Sequence, residues 1–556
     1  MKGTIPAFLL SLAHFTVFSQ LLVDDEKAPT RADTLRGMLS PARVCYDVTY
    51  YDLTVKVIPD SQSIEGTTTM MFKAVDNFEI MQIDLFENMT ISSILLNETP
   101  VHYRREYNAV FVHTGTVKKE SSGILQVNYS GKPQIARKPP WDGGFVWEKD
   151  LEGHPWIAVA CEGTGASLWW PNKDHLSDEP DSMKIHIIVP DTLVAVSNGR
   201  LTGERSAANG WKQYDWRVSY PINNYNVTLN IGKYVHFTDR YRDNDDDLLP
   251  LSYYVLPYNL ERAKQHFEQV KPMMKCYERY FGKYPFSRDG YKLVETPYLG
   301  MEHQSAIAYG NGYAKGYAGM DYSGIGLDFD YIIVHETGHE WWGNAVSCSD
   351  IADLWIHEGF CTYSEALYVE CLYGKETALA YVNAKKAYVE NIEPVIGIYN
   401  INREGSPDMY NKGMLMLNTL RHVINNDSLW FSIIRGIIRE FSYKTTTSRQ
   451  IEDYISRNAR MDLSYFFDQY LRHSKIPVFE YRLGKKNKWL EYRWSADVPD
   501  FKMPMDVTLT TGYAGKTVFG RIYPTATWQK ISLNLGKAKN AFKAAEDLFY
   551  VEVKKL

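Results

Sequence analysis

The first part of the chain alternates hydrophobic and polar residues with a period of two. Leu53, Val55 and Val57 are separated by polar residues. Comparable runs follow at 83–85, 124–127, 185–189, 193–196 and 227–231. Successive side chains of a strand point to opposite faces of its sheet, so this alternation is typical of half-buried strands. Since turn-rich stretches separate the runs, the pattern predicts an all-β region up to about residue 240.

The period of the pattern changes after a charged run at 240–247, which we interpret as a domain boundary. Residues 260–281 then repeat apolar positions at helical spacing, with Asn259 as the predicted N-cap and Gly282 as the stop. Helical patterns continue to about residue 472. They are clearest at 331–344, 353–373 and 412–424.

Strand-like alternation returns in the last part of the chain, notably at 506–510 and 518–522. The patterns together predict a multidomain α+β protein. We expect an all-β domain over 20–240, a mostly helical domain over 241–475 and a small β-sandwich over 476–556.

The N-terminus has the features of a targeting segment. Lys2 precedes a mostly apolar stretch at 5–18, and Val17 and Ser19 stand where a signal peptidase requires small residues. We therefore predict a signal peptide over 1–19 and an exported protein, periplasmic or secreted; the alternative is a buried N-terminal helix or strand. No later run of eighteen apolar residues occurs, so no membrane span is expected.

The charge and the cysteine content bear on the partners of the chain and on its disulfide bonds. The net charge of -6 comes from 61 basic and 67 acidic residues without a basic stripe, so no nucleic-acid partner is expected. The six cysteines could form up to three bridges, and the sequence does not choose among the possible pairings. Their dispersed positions favour mostly buried free thiols.

The strongest chemical motif is the sequence His335-Glu336-Thr-Gly-His339. Residues four apart share one face of a helix, so both imidazoles can reach one metal ion while Glu336 faces a metal-activated water. The alternative is a solvated helix face with two histidines. Apolar residues on both sides of the motif argue for burial, and a buried histidine needs a partner.

A carboxylate completes the predicted metal site. Glu358 follows His339 by nineteen positions, a gap that a loop and a second helix can span. Three protein ligands that leave one position open are the pattern of catalytic zinc, so we predict one Zn²⁺ per chain. Glu365, two helical turns after Glu358, is a candidate acceptor for the N–H of a ligating histidine; an exposed carboxylate is the alternative. For His175 and His357 we expect structural roles.

Two segments of the chain, HETGHEWWGNAV and DLWIHEGFCTYSEA, resemble the gluzincin aminopeptidases related to aminopeptidase N, a family that includes leukotriene-A hydrolase. The resemblance implies an N-terminal β-saddle domain and a thermolysin-like catalytic domain. Many relatives also have a large C-terminal helical domain. We expect it to be absent here, because only 81 residues follow Lys475.

Three further segments match the family in the same order and imply roles for their residues. Gly300, Met301, Glu302 and His303 resemble the Gly-x-Met-Glu-Asn motif that binds substrate, with His303 in place of Asn. Glu162, within Ala-Cys-Glu, matches a residue that holds the substrate amine.

The third segment, Tyr410-Asn-Lys-Gly, resembles the one that carries the catalytic tyrosine. This chain departs from the family at Leu299, which replaces Gly, and at His357, which replaces Asn.

The resemblance implies a zinc-dependent aminopeptidase in which Glu336 is the general base and Tyr410 stabilises the oxyanion. Glu162 and Glu302 would bind the free α-ammonium, so the expected substrates are peptides with a free N-terminus. The alternatives are an endopeptidase or an epoxide hydrolase on the same zinc site, or a non-catalytic scaffold. The sequence leaves the oligomeric state open.

Overall fold

The computed structural model describes residues 28–243, 245–325, 328–511, 517–535 and 542–556. The predicted signal peptide at 1–19 lies outside the described residues. Within these ranges, no helix is both long and apolar enough to cross a bilayer.

The N-terminal part of the chain is rich in strands. They are β1 Tyr46–Ile58, β2 Ser63–Ala74, β3 Phe78–Asp84, β4 Met89–Leu96, β5 Thr99–Pro100, β6 Tyr103–Glu106, β7 Ala109–Val117, β8 Ser122–Gly131, β9 Gly144–Lys149, β10 Pro155–Ala160, β11 Ser182–Pro190, β12 Val194–Ser197, β13 Arg200–Ala207, β14 Trp211–Val218, β15 Leu229–Gly232, β16 Val235–Arg242 and β17 Leu248–Val255. Later strands are β18 Tyr291–Glu295, β19 Gly300–Met301, β20 Ile307–Tyr309, β21 Val346–Cys348, β22 Lys444–Thr446, β23 Val478–Leu483, β24 Trp489–Ser495, β25 Met505–Thr511, β26 Thr517–Ile522, β27 Gln529–Ser532 and β28 Glu552–Lys555.

The helices lie mainly in the middle of the chain. They are α1 Arg31–Gly37, α2 Pro41–Val44, α3 Leu260–His266, α4 Val270–Phe281, α5 Tyr331–Gly338, α6 Trp355–Tyr373, α7 Lys375–Ala384, α8 Asp408–Ile424, α9 Asp427–Phe441, α10 Ser448–Ala459 and α11 Ser464–Phe467. The structure thus confirms the coarse prediction of an α+β protein with a β-rich N-terminal region followed by a helical part.

The alternating pattern places the core of the N-terminal sheets. The largest sheet runs in the order β13-β14-β11-β1-β2-β8-β4-β5, in which β1 pairs in parallel with β11 and antiparallel with β2. Leu53, Val55 and Val57 are fully buried on one face of β1, as their period-two spacing predicts. They pack with residues of the β12-β15-β10-β9 sheet, whose strand β10 leads to Glu162.

The third sheet, β16-β17-β18-β20-β19, lies between the β-rich and helical parts. The charged run at 240–247 lies at the hairpin between its antiparallel strands β16 and β17. Strand β19 is an edge strand that pairs antiparallel with β20, Gly300 opposite Tyr309. This sheet therefore brings the 300–303 segment to the side of the helices.

Asn259 is the N-cap residue of α3, as predicted, but its side chain accepts no hydrogen bond from the helix; its Nδ2 donates to Glu295 Oε1 at 2.6 Å instead. The predicted length of another helix is wrong. The helix predicted for 331–344 ends at Gly338, since Gly343 adopts a φ of 115° and the Asn344 amide returns to the His339 carbonyl at 3.0 Å.

The hydrophobic cores show how the later parts of the chain associate. One cluster of buried residues fills the space between the N-terminal sheets. Another extends from Tyr220 to Val551 and includes the helices together with strands β23 to β26. The C-terminal strands therefore pack directly on the helical part.

One disulfide links two helices near the predicted site. Cys276 in α4 bonds to Cys371 near the end of α6, across 95 positions of sequence. Cys45, Cys161, Cys348 and Cys361 are free and buried. The prediction of mostly buried free thiols is thus confirmed.

Candidate active site

Helix α5 carries the first two residues of the motif into the protein interior. Asp330 caps the helix, accepting hydrogen bonds from the amides of Ile332 at 2.9 Å and Ile333 at 3.3 Å. The helix is buried around its circumference, so His335 and Glu336 face other elements of the protein. The next residue on this face, His339, directly follows the last helical residue.

Three potential ligand atoms converge between α5 and α6. His335 Nε2 lies 3.3 Å from His339 Nε2. Each of these nitrogens lies 3.5 Å from Glu358 Oε2. Burial alone would raise the pKa of Glu358, but the two histidines outweigh burial and lower that pKa. The arrangement presents two imidazole nitrogens and one carboxylate oxygen to a common point.

The tautomers of both histidines follow from their outer contacts. His335 Nδ1 lies 2.7 Å from Glu365 Oε1, and His339 Nδ1 lies 2.9 Å from the carbonyl oxygen of Trp342. Both partners are acceptors, so each Nδ1 carries the proton and donates it. When the rings are neutral, as a bound metal would require, the Nε2 atoms offer their lone pairs to that metal. Glu365 is itself held by the Tyr381 hydroxyl.

Glu336 lies against the edge strand β19. Burial, opposed by the nearby histidines, raises the pKa of its carboxyl to about 7. A Cβ on Gly300 would lie 2.8 Å from Glu336 Oε1 and 2.6 Å from a side-chain carbon of Ile332. Only glycine therefore lets the strand approach the carboxylate this closely.

Glu302 is brought to the metal ligands by contacts that were not predicted. Its Oε1 accepts a hydrogen bond from the Tyr225 hydroxyl at 3.0 Å, and its backbone carbonyl accepts one from Asn344 Nδ2 at 2.8 Å. Ligand atoms of Glu302, His339 and Glu358 lie within 4.8 Å of one another. Burial raises the pKa of Glu302.

Glu162 lies on the loop after β10, close enough to Glu302 for their charges to interact. Burial and the charges of Glu302 and Glu358 raise the pKa of Glu162 well above its usual range. Its side chain is only half-buried, in contrast to Glu302, which is 3% exposed. The two carboxylates therefore share one space, with Glu162 at its solvent side.

Tyr410 reaches the same space because two helices touch at glycines. A Cβ on Gly413 of α8 would lie 2.8 Å from the Cα of Gly359 of α6, so side chains at this crossing would hold the helices apart. Gly413 is nearly one turn after Tyr410, and Gly359 directly follows Glu358. The ring of Tyr410 lies 6.3 Å from the ring of His335, and its hydroxyl has a raised pKa through burial and Glu358.

Met301, His303 and His357 are buried near this centre, whereas His175 is not part of it. Met301 is 2% exposed, and His303 is fully buried with no hydrogen-bond partner for either ring nitrogen among the described residues. His357 Nε2 accepts the amide of Cys348 at 2.8 Å, which fits a structural role. His175 likewise lies away from the metal ligands, with Nε2 3.2 Å from the Gly37 carbonyl.

Several contributors to the site carry no signal in the sequence pattern. Tyr225 and Tyr381 hold the carboxylates of Glu302 and Glu365, and Glu404 approaches the loop of Glu162. They come from segments far away in the chain, and neither spacing nor composition distinguishes them from ordinary polar residues.

Residues 265–470 match the family model described as the peptidase family M1 domain. That range contains His335, Glu336, His339, Glu358 and Tyr410. The match covers somewhat more than a third of the chain.

Curated proteins similar to this chain include three aminopeptidases. Leucyl aminopeptidase of Saccharolobus solfataricus is 21% identical over 71% of the chain and 50% of its own length. Glutamyl aminopeptidase of Sus scrofa is 27% identical over 62% of the chain and 37% of its own length. Endoplasmic reticulum aminopeptidase 1 of Homo sapiens is 24% identical over 52% of the chain and 32% of its own length. The chain thus spans half or less of the length of these relatives.

Solved structures share the fold of this chain. An M1 zinc metallopeptidase from Deinococcus radiodurans aligns with a TM-score of 0.64 and 20% identity, over 77% of this chain and 92% of that one. Aminopeptidase A of Legionella pneumophila, in complex with aspartic acid, aligns with a TM-score of 0.77 and 17% identity, over 92% of this chain and 60% of that one. At these identities the likeness is one of fold.

Proposed function

We propose that the protein is a zinc-dependent aminopeptidase that hydrolyses the first peptide bond of peptides with a free N-terminus. The observation that carries this proposal is the position of Glu162 and Glu302 beside the His335–His339–Glu358 cluster. Two carboxylates next to the reacting centre suit a substrate whose α-ammonium lies one residue from the scissile bond.

The chemistry of the donor atoms fits zinc. With Nδ1 of each histidine donating to its acceptor, the neutral form of each ring presents an unprotonated Nε2, and Glu358 Oε2 is buried without a hydrogen-bond partner among the described residues. Imidazole nitrogen with carboxylate oxygen is a ligand set typical of catalytic zinc. When bound, zinc would polarise the scissile carbonyl and make water a stronger acid.

Glu336 is the proton carrier in this proposal. A carboxyl with a pKa of about 7 can take a proton from the attacking water and give it up to the leaving amine near neutral pH. The close approach of Gly300 fixes the position of this carboxyl. The free edge of β19, at Gly300 and Met301, offers main-chain groups to an extended substrate.

The Tyr410 hydroxyl stabilises the developing oxyanion in this scheme. Its raised pKa keeps the phenol protonated at neutral pH, so it donates a hydrogen bond to the negative oxygen of the tetrahedral state. His303 remains among the proposed substrate-binding residues, because neither of its ring nitrogens has a hydrogen-bond partner among the described residues.

We also propose that the enzyme works outside the cytoplasm, as a periplasmic or secreted protein. The Cys276–Cys371 disulfide supports this, because disulfides form and persist mainly in oxidising compartments. The division into domains at 20–240, 241–475 and 476–556 stands as part of the same proposal.

The metal requirement tests the proposed function. The purified protein should contain one zinc per chain, and exhaustive chelation should abolish hydrolysis of aminoacyl fluorogenic substrates until zinc is added back. His335→Ala should lose zinc and activity together, because it removes a ligand. Full activity in a protein shown by elemental analysis to be free of zinc would contradict the proposal.

A further inference from the structure

Glu404 is an acidic residue at the opening of the site that the proposed mechanism does not use. It lies on the segment that precedes α8, and its side chain is exposed. Its Oε2 lies 3.9 Å from the point at which Gly163 would carry a Cβ. Gly163 directly follows Glu162, so Glu404 stands beside the carboxylate proposed to bind the substrate amine.

The segment that carries Glu404 is tied to the surrounding structure. The Gly397 amide donates to the Ala352 carbonyl at 2.9 Å, and the Asn402 amide donates to the Asp33 carbonyl at 3.2 Å. Asn402 Nδ2 also lies 3.5 Å from the carbonyl oxygen of Gly163. Glu404 is therefore held at a defined place next to the loop of Glu162.

The exposed carboxylate of Glu404 has no cationic partner among the described residues: none of them forms a hydrogen bond or an ion pair with it. Its own charge adds to the rise in the pKa of Glu162 and Tyr410. An acid held among other acids without a counter-charge favours binding of a cation.

The charges of a bound peptide indicate which cation Glu404 would bind. The α-ammonium faces Glu162 and Glu302, and a zinc ion would compensate Glu358, which leaves Glu404 unpaired. A peptide whose first side chain is neutral supplies no cation to pair with Glu404. Lysine and arginine carry a cation at the end of a flexible stem, which can extend from the α-carbon of the first residue to a neighbouring carboxylate.

We infer that Glu404 selects peptides whose N-terminal residue is lysine or arginine by pairing with the cation of that side chain. The inference rests on the proposed aminopeptidase activity and narrows its substrate class. It makes Glu404 a specificity-determining residue, separate from the pair that binds the α-ammonium.

The test compares kcat/KM for the Arg, Lys, Leu and Glu 4-methylcoumaryl-7-amides. We expect the wild-type enzyme to favour Arg and Lys over Leu by about tenfold or more, the effect of one charge-assisted contact. Glu404→Gln should lower kcat/KM for Arg and Lys at least about tenfold more than for Leu. Glu404→Arg should shift the preference towards Glu.

Glu376→Gln is the matched control, because Glu376 is an exposed acid in the first turn of α7. It should leave the Arg-to-Leu ratio unchanged. A wild-type enzyme that favours Leu, or an equal loss on all substrates in Glu404→Gln, would overturn this inference alone. A wild-type enzyme that holds zinc but cleaves none of the four amides would overturn the proposed function and this inference together.

Discussion

At the scale of single residues, the outer contacts of the two histidines decide the chemistry of the site. Glu365 and the Trp342 carbonyl both accept from an Nδ1 atom, so both Nε2 atoms are free to bind a metal. The i, i+4 spacing predicted that the two histidines lie side by side. The position of Glu365, two helical turns after Glu358, predicted that it accepts a hydrogen bond from one of them. The Trp342 carbonyl was not predictable, because it depends on how the chain leaves α5.

Glu336→Gln separates metal binding from proton transfer. The amide has the same shape and leaves the three ligands in place, so zinc content should match that of the wild type. Activity should fall by about a thousandfold, because the amide cannot accept the proton of the attacking water. Steady-state kinetics together with elemental analysis measure both quantities. A variant with full zinc and activity within tenfold of the wild type would show that another group is the base.

At the scale of elements, the site depends on close approaches between backbones. The α6–α8 crossing at Gly359 and Gly413 and the approach of β19 at Gly300 set the positions of Tyr410 and Glu336. The sequence patterns predicted strands and helices at these places. They did not predict the end of α5 at Gly338, since the apolar residues Trp341 and Trp342 continue the hydrophobic run after the helix has ended.

The disulfide between α4 and α6 should stabilise the helical part. It closes a loop of 95 residues, and constraining a loop of that length in the unfolded chain is worth about 2–5 kcal/mol. We expect Cys276→Ala/Cys371→Ala to lower the free energy of unfolding by that amount in urea titrations. Reductant should lower the stability of the wild type similarly and have no effect on the double variant. Equal stability of the oxidised wild type and the variant would rule out this contribution.

At the scale of the whole molecule, the acidic site is assembled from distant parts of the chain. Glu162 comes from a β-rich region, Glu302 from the third sheet, and Glu404 from the segment before α8. The division into β-rich and helical parts could be predicted because hydrophobic period is a local property. The packing of the C-terminal strands on the helical core could not, because it depends on which surfaces meet after folding.

In the proposed function, the proximity of Glu162 and Glu302 to the metal ligands determines which charge a substrate must carry. If the proposed function is right, each substrate brings a positive charge to a space in which the carboxylates of Glu162 and Glu302 lie close together. Acetylation of a peptide N-terminus removes that charge and leaves the acids facing a neutral amide. Since an unpaired buried charge costs several kcal/mol, cleavage should fall by about a thousandfold or more.

The most direct test is therefore to digest one long peptide in two forms, with a free and with an acetylated N-terminus, and to follow the products by mass spectrometry. We expect the free peptide to shorten from its N-terminus one residue at a time while the acetylated peptide stays intact. Glu336→Gln, which should cleave neither form, controls for contaminating peptidases. Internal fragments released from the acetylated peptide at a similar rate would contradict the account and identify an endopeptidase.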